Sequence, residues 1–154
     1  MNSTIAEQLF HACNEIYDIM LDNEFSIKQS FKLGRVECNL LTYLLQRQRP
    51  VMLRELAEYI HVSCSRITHL TDSLIKKGYI TRDAGTKDRR VLYVQITLEG
   101  AKIAEDYLKK NVSMYNKYLK KLPPEHVEAV YSALNHWVEL LSRIILNDKN
   151  KLNC

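Results

Sequence analysis

A chain of 154 residues, 46% hydrophobic and 26% charged with a formal charge of +4, can bury a core without crosslinks or metal. Cys13, Cys38, Cys64 and Cys154 form no CxxC pair, which argues against a zinc knuckle or a thioredoxin-like motif, and no Gly-rich phosphate loop, nucleophile elbow or paired-carboxylate pattern speaks for an enzyme. No apolar run is long enough to span a bilayer and no signal-peptide pattern opens the chain, so the expectation is a cytoplasmic protein with reduced thiols.

Gly is rare and Pro is confined to Pro50, Pro123 and Pro124, which predicts long helices. The first runs from about Ile5 to Leu21, where Leu9, Cys13, Ile16 and Met20 recur at helical spacing. A looser stretch from Asn23 to Gly34 follows. The next helix spans about Arg35 to Gln48, carries Val36, Leu40, Leu41, Leu44 and Leu45, and is closed by Pro50. A short helix bears Leu53, Leu56, Ala57 and Ile60, and His61-Val62 makes a brief turn. Ser63 then caps a helix bearing Ile67, Leu70 and Leu74 that stops at Gly78. The period changes to two in Val91 to Thr97, with Tyr79 to Asp83 as the partner strand and a charged hairpin tip between them. A long helix runs from Thr97 to about Lys121. Pro123-Pro124 breaks it, and the last helix shows Val127, Val130, Leu134, Trp137, Leu141, Ile144 and Ile145 as a wide apolar stripe.

Leu53 to Gly78 has the pattern of a helix-turn-helix. Ala57 is small where the two helices cross, Val62 plugs the turn, and Ile67 and Leu70 hold the second helix to the core. The opposite face of that helix offers Ser65, Arg66, Thr68, His69, Asp72, Ser73 and Lys76. Short hydroxyls near the helix start and cations further along suit a helix in a major groove. Any two amphipathic helices around a short turn share part of this pattern. The basic tip that follows, reaching for a narrow and strongly negative minor groove, favours DNA.

Glu55-Leu56-Ala57, Val62-Ser63, Ile67-Thr68, Lys76-Lys77-Gly78-Tyr79-Ile80, Lys87-Asp88-Arg89-Arg90 and Ile96-Thr97-Leu98-Glu99-Gly100 together resemble the MarR family of winged-helix regulators. The resemblance runs the whole chain. It implies a mainly α fold with a small β-hairpin wing, in which long N- and C-terminal helices dimerise. It implies one domain over 1–154, with a winged DNA-binding lobe at 34–98 and a dimerisation lobe formed by 1–33 and 99–154. The function implied is a sequence-specific, double-stranded-DNA-binding regulator, a repressor released by a small molecule, reading a pseudo-palindromic operator. Ser63, Ser65, Arg66, Thr68 and His69 would enter the major groove, where His69 either tunes sequence preference or meets a phosphate. Ser73, Lys76, Lys77, Lys87 and Arg89 would add contacts, Arg90 would enter the minor groove, and Asp88 would orient its guanidinium. A solvated loop ion pair is the plainer reading of Asp88 and Arg90. The chain departs from the family at Met52, where the first helix of the motif often has a Ser or Thr cap.

The same resemblance points to a homodimer through Leu9, Cys13, Ile16, Leu134, Trp137, Leu141 and Ile145, with an intrachain helical bundle as the plainer reading of those stripes. An effector crevice would be lined by Tyr17, Phe25, Phe31, Tyr43 and Tyr107, aromatics that equally suit a plain core. The five histidines are scattered, with no HxxxH pair, so neither a metal nor another cofactor is expected. Cys13 reads as an oxidisable thiol or a buried packing residue, and Cys64 at a helix start as its rival. The alternative function is a winged helix that binds protein without specific DNA binding.

Overall fold

In the computed structural model the backbone is described for residues 4–85 and 88–152, and the side chains within them except at 20, 22–26 and 145–152. Helix α1 (Ile5–Phe31) opens on a capping box: Thr4 Oγ1 accepts from the Glu7 N–H at 3.3 Å and the Glu7 carboxylate accepts from the Thr4 N–H at 2.7 Å. The sequence reading ended this helix at Leu21. It continues to Phe31 because nothing after Leu21 breaks it, and Ile27, 5% exposed, is drawn into the core. Helix α2 (Arg35–Arg47) ends on Gln48 in the left-handed conformation, two residues before Pro50.

Strand β1 (Val51–Met52) escaped the sequence reading, since two residues show no periodicity. Helix α3 (Leu53–Ile60) follows, and Met52 gives it no side-chain cap. Helix α4 (Cys64–Lys76) is capped by Ser63, whose hydroxyl accepts from the Arg66 N–H. Strands β2 (Ile80–Ala84) and β3 (Leu92–Ile96) pair antiparallel with Arg82 opposite Val94, and β1 adds to the other edge of β3, giving the order β1-β3-β2. This is a winged helix-turn-helix. Its core gathers Leu33, Leu40, Leu41, Leu44, Leu56, Ile67, Leu74 and Val94, each essentially inaccessible. Truncating any of the leucines to alanine should cost about 2–5 kcal/mol.

Two motifs meet where α4 hands over to the wing. Gly78 holds φ 76° while its N–H reaches the Ile75 carbonyl and the Tyr79 N–H reaches that of Leu74, the double closure that favours glycine after a helix. The Thr97 hydroxyl donates to the Gly78 carbonyl at 2.8 Å and accepts from the Gly100 N–H at 3.1 Å. A Cβ on Gly100 would collide with the Tyr79 carbonyl. The Lys-Lys-Gly and Ile-Thr-x-x-Gly runs are therefore two sides of one junction.

Helix α5 (Leu98–Leu119) starts at that junction, and α6 (Pro124–Leu152) ends the described chain. The chain divides into two compact units, Met1–Lys109 and Lys110–Cys154, so α1 groups with the winged part and the division falls within α5. In the second unit Val130, Tyr131, Leu134, Val138, Leu140 and Ile144 of α6 are all exposed. On α1 the same holds for Ile5, Leu9, Phe10, Ile16, Tyr17 and Ile19. Among the described residues no helix is long and apolar enough to cross a membrane.

Candidate nucleic-acid interface

The turn into α4 is three residues long. His61 takes the left-handed conformation at φ 60°, the Val62 N–H returns to the Ala57 carbonyl, and Ser63 begins the next helix. Ala57 and Ile67 are buried, so the short side chain at Ala57 lets α3 and α4 approach. Ser65, Arg66, His69 and Lys76 are exposed. None of these four has a hydrogen-bond or ion-pair partner for its side chain among the described residues. Thr68 is half-buried and its hydroxyl donates to the Cys64 carbonyl at 2.8 Å.

Ser73 and Lys77 behave differently. Both turn to Glu37 on α2: the Ser73 hydroxyl donates to Glu37 Oε1 at 2.8 Å and Lys77 Nζ to the same oxygen at 2.9 Å. The second oxygen, Oε2, accepts from the Gly34 N–H at 2.9 Å. Burial pushes the Glu37 carboxyl up, but these donors and the lysine charge outweigh it and hold it below the ordinary carboxylate value. Burial and the neighbouring Glu37 push the Cys38 thiol up to about 12, so it stays protonated. Asp72, read from sequence as part of the open face, pairs with Arg82 of β2 at 2.6 Å.

The described part of the wing tip is held by backbone hydrogen bonds. The Gly85 N–H donates to the Val91 carbonyl at 2.8 Å and the Val91 N–H to the Asp88 carbonyl at 3.1 Å. The Asp88 carboxylate accepts from the backbone N–H of Arg90 at 2.9 Å. Here Asp88 meets the peptide of Arg90, whose side chain, like that of Arg89, has no partner among the described residues. Lys87 lies outside the described residues. Arg90 and the start of α4 line one cleft of about 410 Å³ with Leu53, Ile67 and Cys64, so the end of the wing tip and the start of β3 face the first turn of the helix.

Of the five aromatics expected to line an effector crevice, Phe31 and Tyr107 meet edge to face at 5.6 Å. Tyr43 instead stacks on Tyr59 at 3.9 Å and donates to Glu55 at 2.8 Å. That hydrogen bond, opposed by slight burial and aided by Arg49, lowers the Glu55 carboxyl. Tyr17 is exposed and the Phe25 side chain lies outside the described residues. Of these, Tyr17, Phe31, Tyr43 and Tyr107 line neither the cleft beside Arg90 nor a second, of about 480 Å³, on the wing. Of the expected dimer residues, Leu9, Cys13, Ile16, Leu134 and Leu141 are exposed, Trp137 is half-buried, and the Ile145 side chain lies outside the described residues. Cys64 is exposed too, and Cys154 lies outside the described residues.

The MarR family profile matches residues 40–92, the span from mid-α2 to the start of β3. YpoP of Bacillus subtilis, an uncharacterized HTH-type transcriptional regulator, is 32% identical over 114 residues, covering 73% of this chain and 71% of that protein. The HTH-type transcriptional repressor MdtR of the same organism is 32% identical over 83 residues, 54% of each chain. The crystal structure of Streptococcus pneumoniae FabT in complex with DNA superposes with a TM-score of 0.78 at 18% identity, covering 90% of this chain and 99% of that one. The chain belongs to the MarR family of HTH-type transcriptional regulators.

Proposed function

We propose that the protein is a homodimeric repressor of transcription that binds a pseudo-palindromic duplex operator and leaves it when a small-molecule effector binds. The observation that carries this reading is the open face of α4, where Arg66 and His69 have no side-chain partner among the described residues, beside a wing whose Arg90 has none among them either. Charged side chains left without a local partner next to an apolar cleft fit an anionic ligand with a major and a minor groove. Ser63 and Ser65 meet phosphate or base edges at the helix start, Arg66, Thr68 and His69 read bases, Lys76 meets phosphate, and Arg89 and Arg90 serve the minor groove. The exposed apolar stripes of α1 and α6 are covered by a second copy, through Leu9, Cys13, Ile16, Leu134, Trp137, Leu141 and Ile145. The repressor name of MdtR and the DNA in the FabT crystal support the reading by likeness.

Selecting bound sites from a random duplex pool tests it. The expected result is an enriched inverted repeat with half-sites about one helical turn apart. Binding with no enriched sequence, or none at all at low salt, overturns it.

A further inference from the structure

Arg66, Ser73 and Lys77 lie at spacings of seven and four residues, so they form a single stripe along α4. The N-terminal turn of α2 covers the lower part of that stripe, where Glu37 takes both Ser73 and Lys77 on one oxygen and the Gly34 N–H on the other. Arg66 stands two turns above the covered part and is open. The Glu37 side chain is 13% exposed and that of Lys77 35%, which separates this pair from the freely solvated kind that contributes little. One carboxylate with three donors thus ties this face of α4 to the start of α2, beside the core contacts of Ile67, Leu70 and Leu74 that seat the helix.

We propose that Glu37 is a positioning residue for the reading helix: it clamps α4 at Ser73 and Lys77 to the turn that opens α2, and Lys77 acts on the operator through Glu37, not through a phosphate. The proposal rests on the DNA-binding reading above. It removes Ser73 and Lys77 from the set of side chains that touch duplex and adds a residue far from it in sequence.

The test is a double-mutant cycle of Glu37→Gln and Lys77→Gln, read as affinity for the selected operator and for random duplex over a range of salt, with melting midpoints alongside. Each single change should weaken operator binding by about tenfold, within the usual coupling range of contacting residues. Random-duplex binding should change less, the double variant should be no weaker than the singles, and the salt slope should stay that of wild type. Ser73→Ala should move in the same direction by a smaller factor. A salt slope lower by about one in Lys77→Gln, with losses that add in the double variant, makes Lys77 a phosphate contact and overturns the proposal. So does a lower melting midpoint with an unchanged ratio of operator to random-duplex affinity, which is what a merely structural ion pair gives. Wild-type protein that binds no duplex overturns the DNA-binding reading itself, and the clamp with it.

Discussion

Asp88 reaches Arg90 through the peptide and not through the guanidinium, and this decides what its removal should do. Simple charge counting says that Asp88→Ala, which deletes a negative charge near phosphates, tightens binding. A carboxylate that holds the wing backbone predicts the reverse: Asp88→Ala weakens duplex binding, and Arg90→Ala weakens it on specific and random sequence alike. Fluorescence anisotropy on both duplexes separates the two, and tighter binding by Asp88→Ala sinks the orienting role. Arg66→Ala should cost about 1–3 kcal/mol on the best operator and relax preference at one base position, as a base-edge contact does. Equal losses on every sequence would demote Arg66 to a phosphate contact. Glu37 gives a pH signature as well. Its folded carboxyl sits below the ordinary value, held there against burial by Gly34, Lys77 and Ser73, with the buried Cys38 thiol beside it. A depressed carboxyl contributes stability above its unfolded pKa and loses it as pH falls through the folded one. Glu37→Gln should therefore flatten the acid limb of a melting-midpoint profile while lowering its neutral plateau.

At the scale of elements, the α4 start and the junction after it were legible because each depends on local chemistry. Ser63 caps through its hydroxyl and Gly78, lacking a Cβ, turns left-handed. Ser63→Ala should lower stability by about 1 kcal/mol in thermal melts and Ser63→Gly by only a few tenths; equal losses would show that the hydroxyl contact is not what matters. Gly100→Ala should destabilise more than either, since the new Cβ meets the Tyr79 carbonyl and not a side chain that can yield. What was not legible depended on distant partners. The extension of α1 to Phe31 follows from Ile27 entering a core made mostly by other elements. Glu37 gave no local sign of its role, because Ser73 and Lys77 come from a helix two helices further on, at and just past its end. The sequence groups those two with Arg66 as DNA-contact candidates; in the fold they share a stripe whose lower part α2 covers.

For the whole molecule, the exposed stripes on α1 and α6 bear the prediction. Leu141→Asp should give a monomer or an aggregate and abolish operator binding, while wild type should scatter light as twice its 18.0 kDa chain at micromolar concentration. A monomeric wild type at that concentration removes the dimer reading. The family and the winged architecture were legible in six short runs spread from Glu55 to Gly100, whereas the proposed effector aromatics were chosen by type alone, and Tyr43 has its own partners in Tyr59 and Glu55. The short Asp72–Arg82 bridge ties α4 to the first strand of the wing, and the Thr97 hydroxyl closes the same corner from behind. On the proposed DNA-binding reading, these two ties would set the opening between helix and wing, like the jaws of a calliper. A duplex would then have to bring a matching spacing between its wide and narrow furrows, and sites that differ in stiffness or twist should bind differently even where their bases agree.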